Sequence, residues 1–150
     1  MKNIQNIDKS KVKILIGGAA LVELGSSRRT QDLDYLIYDK SSKELFMHFH
    51  DIDYINAAQS DFYKEIFDIE INNEIASPQS LLETKANALI QHLQNGYWQK
   101  ADDAEYDIKY LVRKFNLKGL DILPKYYDKA VIQEVQKIID DVRKQIEKHR

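Results

Sequence analysis

Between Ile14 and Tyr38 the chain reads ILIGGAALVELGSSRRTQDLDYLIY, a succession that leaves few ways to fold. Residues 12–16 (VKILI) are too short and too continuously apolar for a surface helix and predict a buried strand. Gly17 and Gly18 end it. Ala19, Ala20, Leu21, Val22 and Leu24 then predict a short, largely buried helix, stopped by Gly25, a residue suited to the left-handed position after a helix end. Residues 26–31 form a polar loop with two adjacent arginines, and residues 32–38 (DLDYLIY) predict a second strand that enters the core from an acidic start.

These parts suit phosphate chemistry on a metal: a backbone open to close approach, helix N-terminal amides, cations and fixed carboxylates. On a strand, Asp32 and Asp34 point to one face about 7 Å apart, and such oxygen donors favour Mg²⁺ or Mn²⁺. Taken singly, each feature has a plainer explanation: Asp-x-Asp as a solvated strand entrance, Gly17-Gly18 as a tight turn with positive φ. Their order and spacing are what point to a site. Arg28 and Arg29 suit a bidentate phosphate clamp or stacking on a base, and equally suit a solvated loop. Of Ser26, Ser27 and Thr30, one hydroxyl is expected on a phosphate and the others in the turn.

Further along, Ser41 or Ser42 caps a predicted helix over residues 43–50, with Leu45, Phe46 and Phe49 inward. A strand follows at residues 52–56 (IDYIN). Residues 65–71 (EIFDIEI) alternate and predict a strand with one wet face; Asn72 and Asn73 suit a tight turn into a return strand at residues 74–76. From Ser77 the chain changes character. Ser77 and Pro78 open a helix to residue 94 with Leu82, Ala86, Leu89 and Leu93 on one stripe. Gly96 breaks it, a second helix covers residues 101–115, and Pro124 opens a third striped by Val131, Val135, Ile138, Val142 and Ile146. The expected fold is a single α/β (α+β) domain, with a small mixed sheet in residues 1–76 and a helical part in residues 77–150.

The whole-chain charge of −2 gives no general attraction to nucleic acid or to a membrane. Cysteine is absent, which removes thiolate ligands, thiolate nucleophiles and disulfides and suits a reducing compartment. No apolar run approaches the roughly 20 residues that span a bilayer, and the N-terminus lacks the apolar stretch of a signal peptide. A cytoplasmic protein is expected.

The run Gly17-Gly18-Ala19-Ala20-Leu21, then Gly25-Ser26-Ser27-Arg28-Arg29-Thr30, then Asp32-Leu33-Asp34 resembles the signature of the nucleotidyltransferase fold superfamily. It is most similar to the branch associated with abortive infection and toxin–antitoxin systems. A second patch agrees: Ala76-Ser77-Pro78-Gln79-Ser80-Leu81-Leu82 with Lys85 and Ala88, then Asp103, Asp107, Ile108 and Leu111. It resembles that branch's Ser-Pro-capped helix with a lysine, followed by a helix bearing an aspartate.

The resemblance implies two metal ions held by three carboxylates, which activate an attacking hydroxyl and steady an NTP triphosphate. Asp32 and Asp34 would bridge the metals. Asp53, in the strand at 52–56, is the preferred third carboxylate, and Glu70 is the alternative. Gly17, Gly18, Ser27, Arg28, Arg29 and Thr30 would contact the nucleotide. Lys85, on the edge of an apolar stripe, would reach the triphosphate or pair with an acid, and Asp103 or Asp107 would orient it if not simply solvated. His48 and His50, two apart on the expected helix, point in different directions and suggest no metal cluster. Tyr97 and Trp98 read as a hydrophobic plug or a cover for a base.

Two other functions compete with a metal-dependent nucleotidyltransferase acting on a small-molecule, RNA or protein hydroxyl. One is a toxin or antitoxin component that works through a protein partner or as a homodimer by its C-terminal helix. The other is a non-catalytic nucleotide-binding module. The acceptor is not written in the sequence.

Overall fold

The computed structural model describes residues 7–27 and 32–149. The chain divides into two compact units, Met1–Ala76 and Ser77–Arg150. The first holds a four-stranded sheet of β1 (Ile14–Ile16), β2 (Leu33–Ile37), β3 (Phe46–Phe49) and β4 (Ile52–Asn56), with helices α1 (Gly17–Glu23) and α2 (Asp61–Glu70). The second holds α3 (Pro78–Gln94), α4 (Trp98–Phe115) and α5 (Lys129–Lys148). A small mixed sheet with helices, followed by a helical part, is the α+β architecture expected from the sequence.

The strand order is β1-β2-β4-β3, with β2 and β4 parallel and both outer pairs antiparallel. Ile14, Ile16 and Leu36 are buried, and Ile14 lies directly opposite Leu36. Each such side chain contributes about 1.5–3 kcal/mol. Gly25, at φ +100°, ends α1 as expected, and the next amide, that of Ser26, donates to the Leu21 carbonyl at 3.0 Å.

Two predicted elements differ from the structure. The helix expected over residues 43–50 is instead the edge strand β3. Its partner residues run Phe46–Ile55, Met47–Tyr54, His48–Asp53 and Phe49–Ile52. The chain reverses through His50 and Asp51, both left-handed at φ +50° and +62°, the backbone of a two-residue hairpin whose twist matches its strands. Phe46 and Phe49, expected inward, are exposed.

The strand expected over residues 65–71 is instead helical. Ser60 caps α2 by accepting from the Tyr63 amide, and Phe62, Tyr63, Ile66, Phe67 and Glu70 are buried. Those positions recur with the period of a helix, and Ile69, which the strand reading paired with Phe67 and Ile71, is exposed. The expected hairpin over Asn72 and Asn73 therefore has no first strand. Ile75 instead bridges to Leu15 in parallel, with the Leu15 amide donating to the Glu74 carbonyl at 2.8 Å.

The loop from β2 to β3 is anchored by Asn56. Its buried side chain accepts from the Asp39 and Ala58 amides and donates to the Asp39 carbonyl.

In the second unit, Ser77 caps α3 by accepting from the Ser80 amide, with Pro78 in the first turn, as expected. Leu82, Ala86 and Leu89 are buried, but Leu93 is exposed. The third helix starts later than expected. Pro124 lies in a single 3₁₀ turn, Leu123–Lys125, and α5 begins at Lys129. Ahead of that turn, the buried carboxylate of Glu83 accepts from the amides of Asp121 (2.7 Å), Ile122 (3.2 Å) and Leu123 (2.9 Å). Those bonds hold the backbone in a bend rather than a helix. On α5, Val135, Ile139 and Val142 are buried, while Val131, Ile138 and Ile146 are half-buried. Among the described residues, no helix is long and apolar enough to cross a membrane.

Candidate functional site

The strand register gathers the acidic residues of the first unit. Ile16, the last residue before Gly17, lies opposite Asp34; Asp34 lies beside Asp53; and Asp53 lies opposite His48. Side chains directly across neighbouring strands share a face. Asp34, Asp53 and His48 therefore form one row across β2, β4 and β3, and Asp32, two residues ahead of Asp34, belongs to the same face by the strand period. Asp32 and Asp53 are exposed and Asp34 is half-buried.

Gly17 opens α1 at φ +72°, and a Cβ built on it would overlap Asp34 Oδ2 and lie 3.0 Å from Asp34 Cγ. The Asp34 carboxyl thus rests against the backbone where strand turns into helix, in a space that a side chain would fill. This is the role that the sequence suggests for the glycine pair, with a carboxylate in the close approach. Gly18 is buried in the first turn of α1.

His48 is the member of the row that sequence reasoning missed. Its Nδ1 lies 2.6 Å from Asp53 Oδ1, and because an ionised carboxylate only accepts, Nδ1–H is the donor. That bond raises the imidazole pKa above its ordinary value; slight burial opposes the shift, and the charges of Asp53, Asp51 and Asp32 reinforce it. On the expected helix, His48 had no partner. The hairpin pattern FMHF-HD-IDYI was the available signal, and it lacked the Asn-Gly or Asp-Gly turn that usually marks one.

The other expected residues fall as follows. Glu70 is the last residue of α2 and is buried there, so its candidacy as a strand carboxylate loses its premise, whereas Asp53 lies on the strand expected for it. Ser27 is exposed just after α1, and Ser26 is buried. Arg28, Arg29 and Thr30 lie outside the described residues. Lys85, in the second unit, pairs with Asp107 at 2.9 Å, with Lys85 15% exposed and Asp107 fully buried. Of its two expected partners, the structure places the acid. Asp103 accepts from Gln99 at 3.3 Å, one turn away on its own helix. Tyr97 and Trp98 are both exposed, not a plug.

Oxygen donors of this kind suit a hard divalent cation. Asp34, half-buried against Gly17 beside Asp53, fits the part of a fixed ligand. Even so, among the described residues no three His, Asp or Glu side chains stand close enough together to hold a metal ion. Asp53 Oδ1 is engaged by His48 instead.

The fold class is thus α+β, with an acidic row on one end of a mixed sheet. Comparison with protein-family models, with curated proteins and with solved structures finds no match.

Proposed function

We propose that the protein is a metal-dependent nucleotidyltransferase, moving a nucleoside monophosphate from an NTP to an acceptor hydroxyl. The observation that carries this reading is the row Gly17–Asp34–Asp53, in which a glycine at the strand–helix turn makes room for one carboxylate and the parallel register sets a second beside it.

Asp32, Asp34 and Asp53 would hold Mg²⁺ or Mn²⁺, which would neutralise the triphosphate and lower the pKa of the acceptor hydroxyl. The chain's own contribution is positioning. Gly17 admits the Asp34 carboxyl, and β4 presents Asp53 alongside it, where it helps to activate the acceptor. Gly18, Ser27, Arg28, Arg29 and Thr30 complete the nucleotide set in this reading.

Incubation with labelled NTPs and cell extract tests the proposal. Label transfer with pyrophosphate release, lost on chelation and in Asp34→Asn, is expected. Turnover that survives both removes the reading, and tight NTP binding without pyrophosphate release converts it to a non-catalytic nucleotide-binding module.

A second reading, a toxin or antitoxin component acting through a partner, draws on the second unit. An open apolar groove of about 230 Å³ between α3 and α5 is lined by Leu89, Leu93, Val131, Val135 and Ile138. Against it, Val135, Ile139 and Val142 are already buried within the unit. Mass in solution at rising concentration separates the two: a monomer throughout disfavours a homodimer through α5.

A further inference from the structure

β3 ends the sheet: in the order β1-β2-β4-β3, no strand of the described residues lies beyond it. Its backbone is half used. The Asn56 amide donates to the Leu45 carbonyl at 2.7 Å, just ahead of the strand, and bonding residues alternate along an antiparallel pair. Leu45, Met47 and Phe49 therefore turn their backbone groups to β4, and Phe46 and His48 turn theirs outward. The side chains add to this open edge. Phe46 is 58% exposed and Phe49 63% exposed, and the strand, FMHF, has none of the lysine or proline that commonly blunts a free edge.

We infer that β3 is a docking edge for a second copy of this chain, joined antiparallel about a two-fold axis at Met47. The edge is complementary to itself, and this selects the occupant. With Met47 opposite the partner's Met47, Phe46 of each copy lies opposite His48 of the other, so every outward amide and carbonyl of the strand meets an outward group. Moving the axis to Phe46 or to His48 would carry one outward residue of each copy past the end of the partner's strand. On one face, each Phe46 ring meets the partner's His48, whose bond to Asp53 favours a cationic imidazole. On the other face, Met47 and Phe49 meet the partner's Met47 and the partner's Leu45. Charge agrees. Antiparallel order brings Lys43 and Glu44, which lead into β3, to the partner's His50–Asp51 turn, base to acid and acid to base. A contact this short falls at the small end of specific interfaces, so the dimer is weak and forms reversibly as concentration rises. The inference goes beyond the nucleotidyltransferase reading and does not depend on it.

The test is the mass of the full chain by sedimentation as its concentration rises to about 1 mM, for the parent, Phe46→Lys, Phe49→Lys and Val131→Lys. Thermal midpoints verify that each variant is folded. The parent is expected to pass reversibly from monomer to dimer. Phe46→Lys sets a lysine against the partner's His48, and Phe49→Lys puts one into the apolar contact. Each acts twice across the two-fold axis and should weaken the dimer by about tenfold or more. Val131→Lys, in the groove between α3 and α5, should leave it unchanged. The axis has its own readout. The chain has no cysteine, so the thiol of Met47→Cys can pair only with its copy, and directly opposed strand residues are within disulfide reach. Oxidation should give a covalent dimer for Met47→Cys and not for Val131→Cys. A parent that stays monomeric throughout overturns the inference, as does a reversible dimer in which Met47→Cys fails to cross-link. A dimer that survives both β3 lysines overturns it too, and its loss in Val131→Lys would then assign the contact to α5.

Discussion

A Cβ on residue 17 would occupy the space that Asp34 Oδ2 fills, and Gly17 holds a left-handed φ of +72° that other residues rarely adopt. Two independent demands, one steric and one conformational, therefore disfavour a side chain at this position. Gly17→Ala should cost about 1–3 kcal/mol for the backbone alone, with a further penalty from the displaced carboxyl. Urea denaturation of Gly17→Ala, Asp34→Ala and the double variant measures both. Asp34→Ala in the Gly17→Ala background should recover the steric part but not the backbone part. Additive effects would mean that the two residues do not compete for space.

Glu83 is the structural counterpart in the second unit. Its carboxylate accepts three consecutive backbone amides and the Gln79 side-chain amide, and it is fully buried. Removing it leaves the buried amides of Ile122 and Leu123 without their acceptor, at about 1–3 kcal/mol for each donor left unsatisfied. The amide of exposed Asp121 can turn to water. Glu83→Ala should therefore be among the most destabilising single changes in the unit, with Glu83→Gln between it and the parent. Equal stability of Glu83→Ala and the parent in urea would contradict the anchoring role.

The Lys85–Asp107 pair joins α3 to α4 with the aspartate fully buried and the lysine largely so. Breaking a buried pair from one side costs about 3–5 kcal/mol, because the remaining charge has lost its partner. Lys85→Met should show that loss in urea, and Lys85→Met/Asp107→Leu should regain most of it. If Lys85 also contacts the triphosphate, the stable double variant will lose NTP affinity. Unchanged affinity assigns the lysine to structure alone.

Two histidines should titrate on opposite sides of the ordinary imidazole value of 6.5 in the metal-free protein. His48 is raised, chiefly by its bond to Asp53, whereas His92 is lowered, first by burial and then by the charges of Lys100 and Lys85. The linked effects on stability have opposite signs. The contribution of His48 is fully present below the ordinary value and disappears as pH rises through its folded value. His92 is stabilising in its neutral form, so that stability is lost as pH falls from the ordinary value through the depressed one. Proton–nitrogen spectra across pH 5–8 read both, and a shared midpoint would contradict the two environments.

The distribution of what was legible follows from segment length and from where the deciding contacts lie. The run from Ile14 through Gly17-Gly18 to Asp34 carries its own punctuation, so strand, helix, strand and the Asp-x-Asp face could be read locally. Ser77 and Pro78 marked the start of α3 by the same local chemistry. Phe46–Phe49 is four residues, too short to display a period, and its pairing with Ile52–Asn56 turns on a hairpin at His50 and Asp51 that contains no glycine. Once that segment was read as a helix, His48 could not meet Asp53. The run EIFDIEI fits a period of two within its own bounds. Only with Phe62 and Tyr63 included does the helical face of α2 emerge, and with it the burial of Glu70. The sequence offered Asp103 or Asp107 as the acid for Lys85, and only the packing of α3 on α4 selects Asp107.

The most direct measurement of the central claim is an anomalous diffraction map from a crystal soaked with Mn²⁺ and a non-hydrolysable NTP. The account predicts manganese at the Asp32, Asp34 and Asp53 carboxylates, in contact with the triphosphate and beside Gly17. Bound nucleotide with no manganese at these three residues, or manganese held elsewhere, would contradict it.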